Sequence, residues 1–314
     1  MSRNDSAKYA FLYLLSLVAL IFMSISVGII IFQIINKQIV DIINDYASSY
    51  NDEATKFAIS AIIVSAPIYY FTSRQIFKNL MAGKLDKDSG VRKWLTYFIL
   101  LVSVVVMIGF LIATISSFLN GDLTTKFILK TLTALLISGT VFSFYLYDIR
   151  REEVTDKPDR TISLYAWISM AVVLVVFIFS WFIVDSPAQT RSRKIDNEVI
   201  NDLYEINSAV VNYYSLNEEM PTDLNALLNN DSGYRLSEQA LKQPSGDNYY
   251  QYEVTADNEY KICADFLTSN LDDSQDRYYY YGTDYKHDKG HQCFSQKVSS
   301  PDDNKMMPAP VMIK

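Results

Sequence analysis

Histidine, cysteine and glycine are scarce in this sequence, and their scarcity limits the chemistry that the chain can support. The 314 residues include two histidines, two cysteines and ten glycines. They form no nucleophile motif, no glycine-rich phosphate loop and no paired set of metal ligands. We therefore predict that the protein is not an enzyme and that it holds no metal ion or other cofactor.

Positive charge is also in short supply. The chain has 28 Lys and Arg against 35 Asp and Glu, for a formal net charge of −7, and most of the acidic residues follow residue 185. An acidic surface repels phosphate, so the composition predicts no nucleic-acid partner.

Long apolar runs are abundant, and they are confined to the first 184 residues. They cover residues 10–34, 55–73, 94–119, 125–147 and 161–184. About 20 apolar residues in a helix cross ~30 Å of hydrocarbon. The second run is the weakest because it is short and contains Pro67, but Lys56 and Arg74 at its flanks can snorkel and so extend it. The first run is far longer than the core of a secretory signal, so we interpret it as a retained anchor.

These runs predict an all-α transmembrane domain over residues 10–150, built from four spans, with a fifth span at 161–184. Lys and Arg in the short loops predict its orientation. Twelve of them precede the first run or follow the second and fourth, and three lie in the alternate loops. Residues 1–9 are thus predicted to be cytoplasmic and the C-terminal domain to lie outside the plasma membrane. The residues predicted to determine this topology are Arg74, Lys78, Lys84, Lys87, Arg92, Lys93, Arg150 and Arg151.

Residues 188–298 have the pattern of a small α+β domain. Apolar residues recur at helical spacing from Ile195 to Tyr213, which predicts a long helix. Residues 250–254 and 260–266 alternate around a turn at 257–258, which predicts a hairpin, and 277–281 and 291–298 are predicted strands of the same antiparallel sheet. A short helix is predicted after Pro221 with Thr222 as its N-cap, and the tail 299–314 is predicted to be disordered.

Cys263 and Cys293 both fall in this C-terminal domain. In the oxidising compartment that the topology predicts, an even pair is most simply a disulfide. Two buried free thiols are the alternative.

Few other residues suggest binding or transport. Lys130 lies inside an apolar run, where snorkelling explains it as well as an ion pathway does. His287, His291 and Cys293 have the spacing of zinc ligands, but Gly290 and the strand pattern argue against the helix that would bring both imidazoles together.

Two further segments of the C-terminal domain are candidate binding regions. Asp272, Ser274 and Asp276 begin like a calcium loop, although Arg277 stands where the turn needs glycine, so an irregular calcium site stays open. Tyrosine is favoured at contact surfaces. The candidate interaction surface is Tyr278, Tyr279, Tyr280 and Tyr281.

The C-terminal domain resembles pilins and pseudopilins. The resemblance rests on an IxxDLxxIxxAVxxYY helix, a proline with DLxxL, and tyrosine-rich strands with a YKIC step. The matching residues are Asp202, Leu203, Ile206, Ala209, Val210, Tyr213, Tyr214, Pro221, Asp223, Leu224, Leu227, Tyr260 and Cys263. It implies a long helix packed on an antiparallel sheet. Residues 161–167 lack the glycine-then-glutamate processing site of pilins, and a five-span protein does not leave the bilayer to polymerise, so the resemblance concerns the fold alone.

The membrane part resembles a bacterial multi-pass family known as domain of unknown function 5671. The segments that carry this resemblance are AFLYLLSLVAL, AISAIIVSAPIYYFTSRQI, VRKWLTYFILLVSVVVMIG and FILKTLTALLISGTVFSFYLYDIRRE. Some members continue with SPAQ, a DLxxI helix and a late cysteine strand. The resemblance implies no activity.

Together these observations predict an integral membrane protein of the bacterial envelope. Its predicted role is to scaffold or bind, with the lipid bilayer, surface-assembly proteins or further copies of itself as partners. The alternative is a small-solute channel or transporter formed by the first four helices, with the outer domain as a cap, and a membrane enzyme is the third hypothesis. The hydroxyls that could line a path are Ser103, Thr114, Thr131, Thr133, Ser138 and Thr140.

Overall fold

The computed structural model describes residues 3–39, 50–83, 89–151, 159–228, 236–246, 248–271 and 285–298. The chain divides into two compact units, residues 1–184 and 185–314, which we call the helical unit and the α+β unit. The predicted strand at 277–281 and the predicted disordered tail at 299–314 lie outside the described residues.

The helical unit contains five long helices. They are α1 (Arg3–Gln38), α2 (Asp52–Met81), α3 (Gly90–Leu119), α4 (Thr125–Arg150) and α5 (Arg160–Ile183). All five are long and apolar enough to cross a membrane, which confirms the predicted number of apolar segments. The second segment is longer than predicted, because α2 continues for 30 residues with Pro67 inside it.

Side-chain caps fix where several of these helices begin. The Asn51 side chain accepts a hydrogen bond from the backbone N–H of Ala54 at 2.9 Å, and the Asp159 carboxylate accepts one from Thr161 N at 2.8 Å. Such caps satisfy backbone donors that have no partner within the helix. Between α3 and α4 the chain turns through Gly121, whose φ of 78° lies in the left-handed region that glycine adopts without strain.

The core of the helical unit lies mainly between α1 and α2, with contributions from α3 and α5. Its buried members include Leu20, Val27 and Ile30 of α1 and Ile62 and Tyr69 of α2. Many large apolar side chains elsewhere on these helices are exposed, among them Trp94, Leu119, Trp181 and Phe182. Exposed apolar surface of this extent suits helices that face lipid.

In its described residues, the α+β unit contains α6 (Pro187–Asn217), two short 3-10 helices (Leu224–Leu227 and Gln239–Leu241) and the strands β1 (Gln251–Ala256), β2 (Glu259–Phe266) and β3 (Gly290–Lys297). The strands form one antiparallel sheet in the order β1-β2-β3. The predicted combination of a long helix and a small antiparallel sheet is confirmed. The predicted N-cap Thr222 is wrong: Asp223 caps the first 3-10 helix, because its carboxylate accepts from Ala226 N at 2.9 Å.

One face of the sheet forms the core of the α+β unit with the apolar stripe of α6. Val199, Leu203 and Ile206 of α6 are completely buried, and the alternate residues of β2 from Tyr260 to Phe266 complete the cluster. Burying both apolar surfaces together is what gives the small sheet independent stability. The opposite face of the sheet carries polar side chains, which are described below.

Candidate functional site

An ion pair between Arg92 and Asp148 joins the first turn of α3 to the last turn of α4. Nη2 of Arg92 donates to Oδ2 of Asp148 at 2.8 Å and to the backbone carbonyl of Asp148 at 3.3 Å. The two residues are only 5% and 6% exposed. Charged groups are buried in proteins almost only when they are paired, so each of these side chains depends on the other.

The ion pair forms part of the wall of a polar pocket in the helical unit. Hydroxyl groups from Tyr13, Ser16, Ser73 and Tyr145 also line the pocket, whose volume is about 40 Å³. Ser16 Oγ and Ser73 Oγ lie 3.3 Å apart. Within the described part of the chain, Tyr13 Oη and Asp148 Oδ1 are buried and make no hydrogen bond. The pocket therefore presents hydrogen-bonding groups in a space of the size that ordered water molecules fill.

The hydroxyl groups predicted to line a solute path are used differently. Ser103 donates to the carbonyl of Ile99 at 2.9 Å, four residues earlier in its own helix. The same pattern holds for Thr114, Thr133, Ser138 and Thr140. Thr131 lies with its Oγ1 3.3 Å from Oγ1 of Thr114, between α4 and α3. Hydroxyls bonded to their own helix favour helix packing over a polar conduit.

The positively charged residues predicted to set the topology lie mostly at helix ends. Arg74 and Lys78 are in the final turns of α2, Lys93 is in the first turn of α3, and Arg150 and Arg151 end α4. Lys84 and Lys87 lie outside the described residues.

Arg92 lies inside a helix and not in the loop to which the sequence assigned it, and its role in topology stays a prediction. Helix α3 starts at Gly90, so Arg92 is helical, and its guanidinium is buried against Asp148. The sequence pattern missed this pair because a charge next to an apolar run ordinarily stays at the interface. Asp148 could have indicated the pair, because it is an acidic residue next to the positively charged end of α4.

The polar face of the sheet in the α+β unit is built from cross-strand pairs. Cys263 of β2 and Cys293 of β3 are directly opposite, and their sulfur atoms lie 2.09 Å apart, so the predicted cysteine pair is at disulfide distance. On the next rung Asp265 faces His291, with Oδ1 2.8 Å from Nδ1. Nε2 of the same imidazole lies 3.6 Å from Sγ of Cys293. A carboxylate, an imidazole and a sulfur atom thus follow one another along this face.

The histidines considered as zinc ligands lie in different surroundings. His287 is 2% exposed, and its ring stacks on Phe266 with the centroids 3.6 Å apart, whereas His291 lies on the polar face. Ligand atoms of Cys263, His291 and Cys293 lie within 4.8 Å of one another. Because both sulfur atoms belong to the disulfide, neither is a thiolate able to ligate a metal in this state. The segment considered for calcium, from Asp272 to Asp276, and the predicted interaction tyrosines 278–281 lie outside the described residues.

Two carboxylates of α6 accept hydrogen bonds from residues that flank the strands of the sheet. Asp196, 2% exposed, accepts hydrogen bonds from Leu267 N at 2.8 Å and Thr268 N at 2.7 Å. Asp202 accepts one from the hydroxyl of Tyr250 at 2.7 Å. Burial raises the pKa of Asp202 above its ordinary value, and the charge of Glu205 acts in the same direction, while the Tyr250 hydrogen bond opposes both.

A DUF5671 domain, a domain of unknown function, spans residues 9–145. The DUF5671 domain includes α1, α2, α3 and most of α4, and with them every residue of the polar pocket named above except Asp148. It does not extend to α5 or to the α+β unit. No curated protein and no solved structure matches this chain.

Proposed function

We propose that this protein is a non-enzymatic scaffold or interaction protein of the bacterial envelope. Four spans and a fifth would anchor it in the plasma membrane, and the α+β unit, pilin-like in its plan, would lie outside. Its role would be to bind surface-assembly proteins or further copies of itself. The observation that carries the proposal is the sequence of five apolar helices followed by a compact unit closed by a disulfide.

The orientation is argued from charge and from the cysteines. Five crossings put the two ends of the chain on opposite sides of the bilayer, and the Lys and Arg of the loops favour a cytoplasmic N-terminus. Disulfides persist in oxidising compartments and are rare in the cytosol. Cys263 and Cys293 are the two cysteines of the chain, and both lie in the α+β unit.

A labelling experiment in intact cells tests the orientation. We expect a membrane-impermeant maleimide to label the protein only after treatment with a membrane-impermeant reductant. The control carries Cys263→Ser, Cys293→Ser and Ser89→Cys, which moves a single thiol to the start of α3; we expect this variant to be labelled only after lysis. Labelling of the wild-type protein only after lysis, without reductant, would place the α+β unit in the cytoplasm and refute the proposed orientation.

A cross-linking experiment tests the interaction role. A photoreactive amino acid at Tyr279, within the predicted tyrosine surface, is expected to cross-link the protein to an envelope partner or to a second copy in living cells. The matched control places the same amino acid at Glu238, an exposed position of the same unit. If neither position gives a cross-linked species and the purified protein never self-associates, the scaffold role is wrong.

The second candidate function is a small-solute channel or transporter formed by the first four helices. The polar pocket with Arg92 and Asp148 in its wall is the observation that favours it. Solute flux through proteoliposomes that is abolished by Asp148→Asn, in a variant of unchanged yield, would support this function. The hydroxyls of α3 and α4 that bond to their own helices argue against a continuous polar path, so the scaffold role is preferred.

A further inference from the structure

On the polar face of the sheet, charged and polar side chains are paired on both sides of the disulfide. A disulfide that is only a structural cross-link does not require this arrangement. From one end of β2 to the other, the facing residues pair as Glu259 with Lys297, Lys261 with Ser295, Cys263 with Cys293 and Asp265 with His291. The disulfide therefore lies on the side of the sheet opposite the apolar core, flanked by charged and polar pairs.

The two sulfur atoms differ in their surroundings. Cys263 is 7% exposed, whereas Cys293 lies at an exposed position. Among the described residues, the Sγ of Cys293 lies 3.6 Å from Nε2 of His291. The pair thus consists of an exposed cysteine next to an imidazole and a buried cysteine on the neighbouring strand.

The imidazole is itself held by a carboxylate. With Asp265 Oδ1 2.8 Å from Nδ1, the favoured tautomer carries its proton on Nδ1, which leaves Nε2 free to accept the proton of a thiol at Cys293. A nucleophile, a base and a group that orients the base are the elements of an activated cysteine. Cysteine reactivity increases with thiolate character and accessibility. Cys293 is at an exposed position, and the imidazole 3.6 Å from its Sγ is placed to take the thiol proton.

We propose that Cys263 and Cys293 form a redox-active pair that exchanges with the thiols or disulfide of a partner protein, with Cys293 as the reacting sulfur and His291, positioned by Asp265, as its base. This activity goes beyond the scaffold role and does not depend on which side of the membrane the α+β unit occupies.

The exchange balances as follows. In the reduced protein the Cys293 thiol gives its proton to His291 Nε2, and the thiolate attacks a partner disulfide R–S–S–R′. A Cys293–S–R bond forms, the S–S bond of the partner breaks, and the R′S⁻ leaving group takes the proton from His291. The Cys263 thiol then gives its proton to His291 Nε2, and its thiolate attacks Cys293 Sγ. The Cys293–S–R bond breaks, the protein disulfide is restored, and the RS⁻ leaving group takes the proton from His291 and departs as RSH. The protein dithiol is oxidised and the partner disulfide is reduced to two thiols; a partner dithiol drives the same steps in reverse.

Other charges on the same face also bear on the pH dependence of this exchange. In the described strands they are Glu253, Glu259, Lys261, Asp265, His291 and Lys297, with Asp288 and Lys289 just before β3. Glu259 and Lys297 lie 3.5 Å apart and offset each other. Lys297→Ala therefore makes a matched control, since it removes a charge from the same face without touching the proposed base.

The test uses the purified full-length protein in detergent with a metal chelator present. In a Cys263→Ser variant, Cys293 is the single thiol, and its rate of alkylation by iodoacetamide is measured from about pH 5 to about pH 9. We expect His291→Ala in this background to lower the rate near neutral pH about tenfold and to move the midpoint of the pH profile upward. Asp265→Asn is expected to have a smaller effect in the same direction, and Lys297→Ala to change the rate less than about twofold.

A second measurement examines the intact pair. Reduced wild-type protein is expected to re-form its disulfide with glutathione disulfide about tenfold faster than reduced His291→Ala or His291→Gln. The side chains of Asp265 and His291 are 41% and 49% exposed, so these variants should keep the fold, which equal thermal midpoints would verify. Identical alkylation profiles and identical oxidation rates with and without His291 would overturn the proposal and leave the disulfide as a structural cross-link.

Discussion

Arg92 and Asp148 lie 56 residues apart in the sequence, yet Nη2 and Oδ2 are separated by 2.8 Å and both side chains are more than nine-tenths buried. The pair connects α3 to α4 at the end of the helix pair opposite the tight turn through Gly121. The two helices are therefore fastened at both ends, by a short loop at one and by an ion pair at the other.

Removing one partner of this ion pair should be more costly than removing both. Arg92→Met removes the closer cation of the buried Asp148 carboxylate and leaves only Arg151, whose Nη2 lies 3.9 Å from Oδ1. Breaking a buried pair typically costs about 3–5 kcal/mol, and we expect a loss towards the lower end because Arg151 remains. The double variant Arg92→Met, Asp148→Leu leaves no buried charge, so we expect it to recover much of that loss. The measurement is the thermal midpoint of the purified protein in detergent.

The control for this comparison is Arg150→Met, which removes an exposed arginine two residues from Asp148. Its thermal midpoint should stay close to that of the wild-type protein. If the double variant is less stable than both single variants, the buried pair contributes net stability and our expectation is wrong.

Tyr252 and Tyr260 should respond in opposite ways to loss of their hydroxyl groups. Their rings are 5.3 Å apart, but only Tyr260 has a partner for its hydroxyl among the described residues, donating to Asn207 Oδ1 at 2.7 Å. Tyr260→Phe removes this hydrogen bond from a completely buried tyrosine and should destabilise the α+β unit by about 1 kcal/mol. Tyr252→Phe removes a buried hydroxyl that has no partner and should be neutral or slightly stabilising.

Thermal unfolding followed by near-ultraviolet circular dichroism distinguishes the two tyrosine variants. Tyr249→Phe is the matched control, because Tyr249 is 67% exposed and its hydroxyl can bond to water in either state. Equal losses of stability in Tyr252→Phe and Tyr260→Phe would contradict the assignment of the Asn207 hydrogen bond as the difference between them.

The helices and strands that were predicted from the sequence are those determined by the pattern of neighbouring residues. The apolar runs predict helices long enough to cross a membrane, and the alternation of residues 250–254 and 260–266 around a polar turn predicts a hairpin. The cysteine pair was predicted from the even number of cysteines and from the oxidising compartment that the predicted topology implies. Local pattern also fixed α6, because its stripe from Ile195 to Tyr213 has the helical period.

The contacts that sequence did not predict are made by tertiary structure. Nothing in the vicinity of Arg92 indicates that its partner is Asp148, since charges at helix ends are ordinary. The pairing of Asp265 with His291, in contrast, can be deduced from the cysteine pair. Once Cys263 and Cys293 are taken to face each other on antiparallel strands, the residues two places further along must also face each other.

Lowering the pH should increase the stability of the wild-type α+β unit relative to that of an Asp202→Asn variant. Burial, with the charges of Glu205 and Glu198, raises the pKa of Asp202 in the folded state above its ordinary value of 3.8, and the hydrogen bond from Tyr250 only partly offsets this. The folded state therefore holds the proton more tightly than the unfolded state does. The resulting stability is fully present below pH 3.8 and is lost as the pH rises through the raised value.

Asparagine cannot titrate and can still accept the hydrogen bond from Tyr250, so the variant isolates the charge of Asp202. The difference in thermal midpoint, wild type minus Asp202→Asn, should be larger at about pH 4 than at about pH 7. Glu253→Gln on the exposed strand β1 serves as the control for a general loss of negative charge. A difference that does not vary with pH would show that the Asp202 carboxylate titrates alike in the folded and unfolded states.

Asp196 is expected to hold the segment after β2 against α6. Its buried carboxylate accepts from the backbone N–H groups of Leu267 and Thr268 and from the Thr268 hydroxyl, so three donors converge on one side chain. Asp196→Asn replaces one acceptor oxygen with an NH₂ group that faces a donor, and the loss of charge-assisted hydrogen bonds should cost about 2–3 kcal/mol.

Limited proteolysis reports whether the segment after β2 becomes less stable in the Asp196→Asn variant. We expect Asp196→Asn to be cut faster than the wild-type protein after Leu267 or Thr268, with a lower thermal midpoint, because the backbone donors freed there must turn to water. The control Glu198→Gln changes an exposed carboxylate two residues along the same helix and should leave both readouts unchanged. If Asp196→Asn lowers the thermal midpoint without faster cleavage at this segment, the carboxylate stabilises the unit as a whole and does not act as a local clamp.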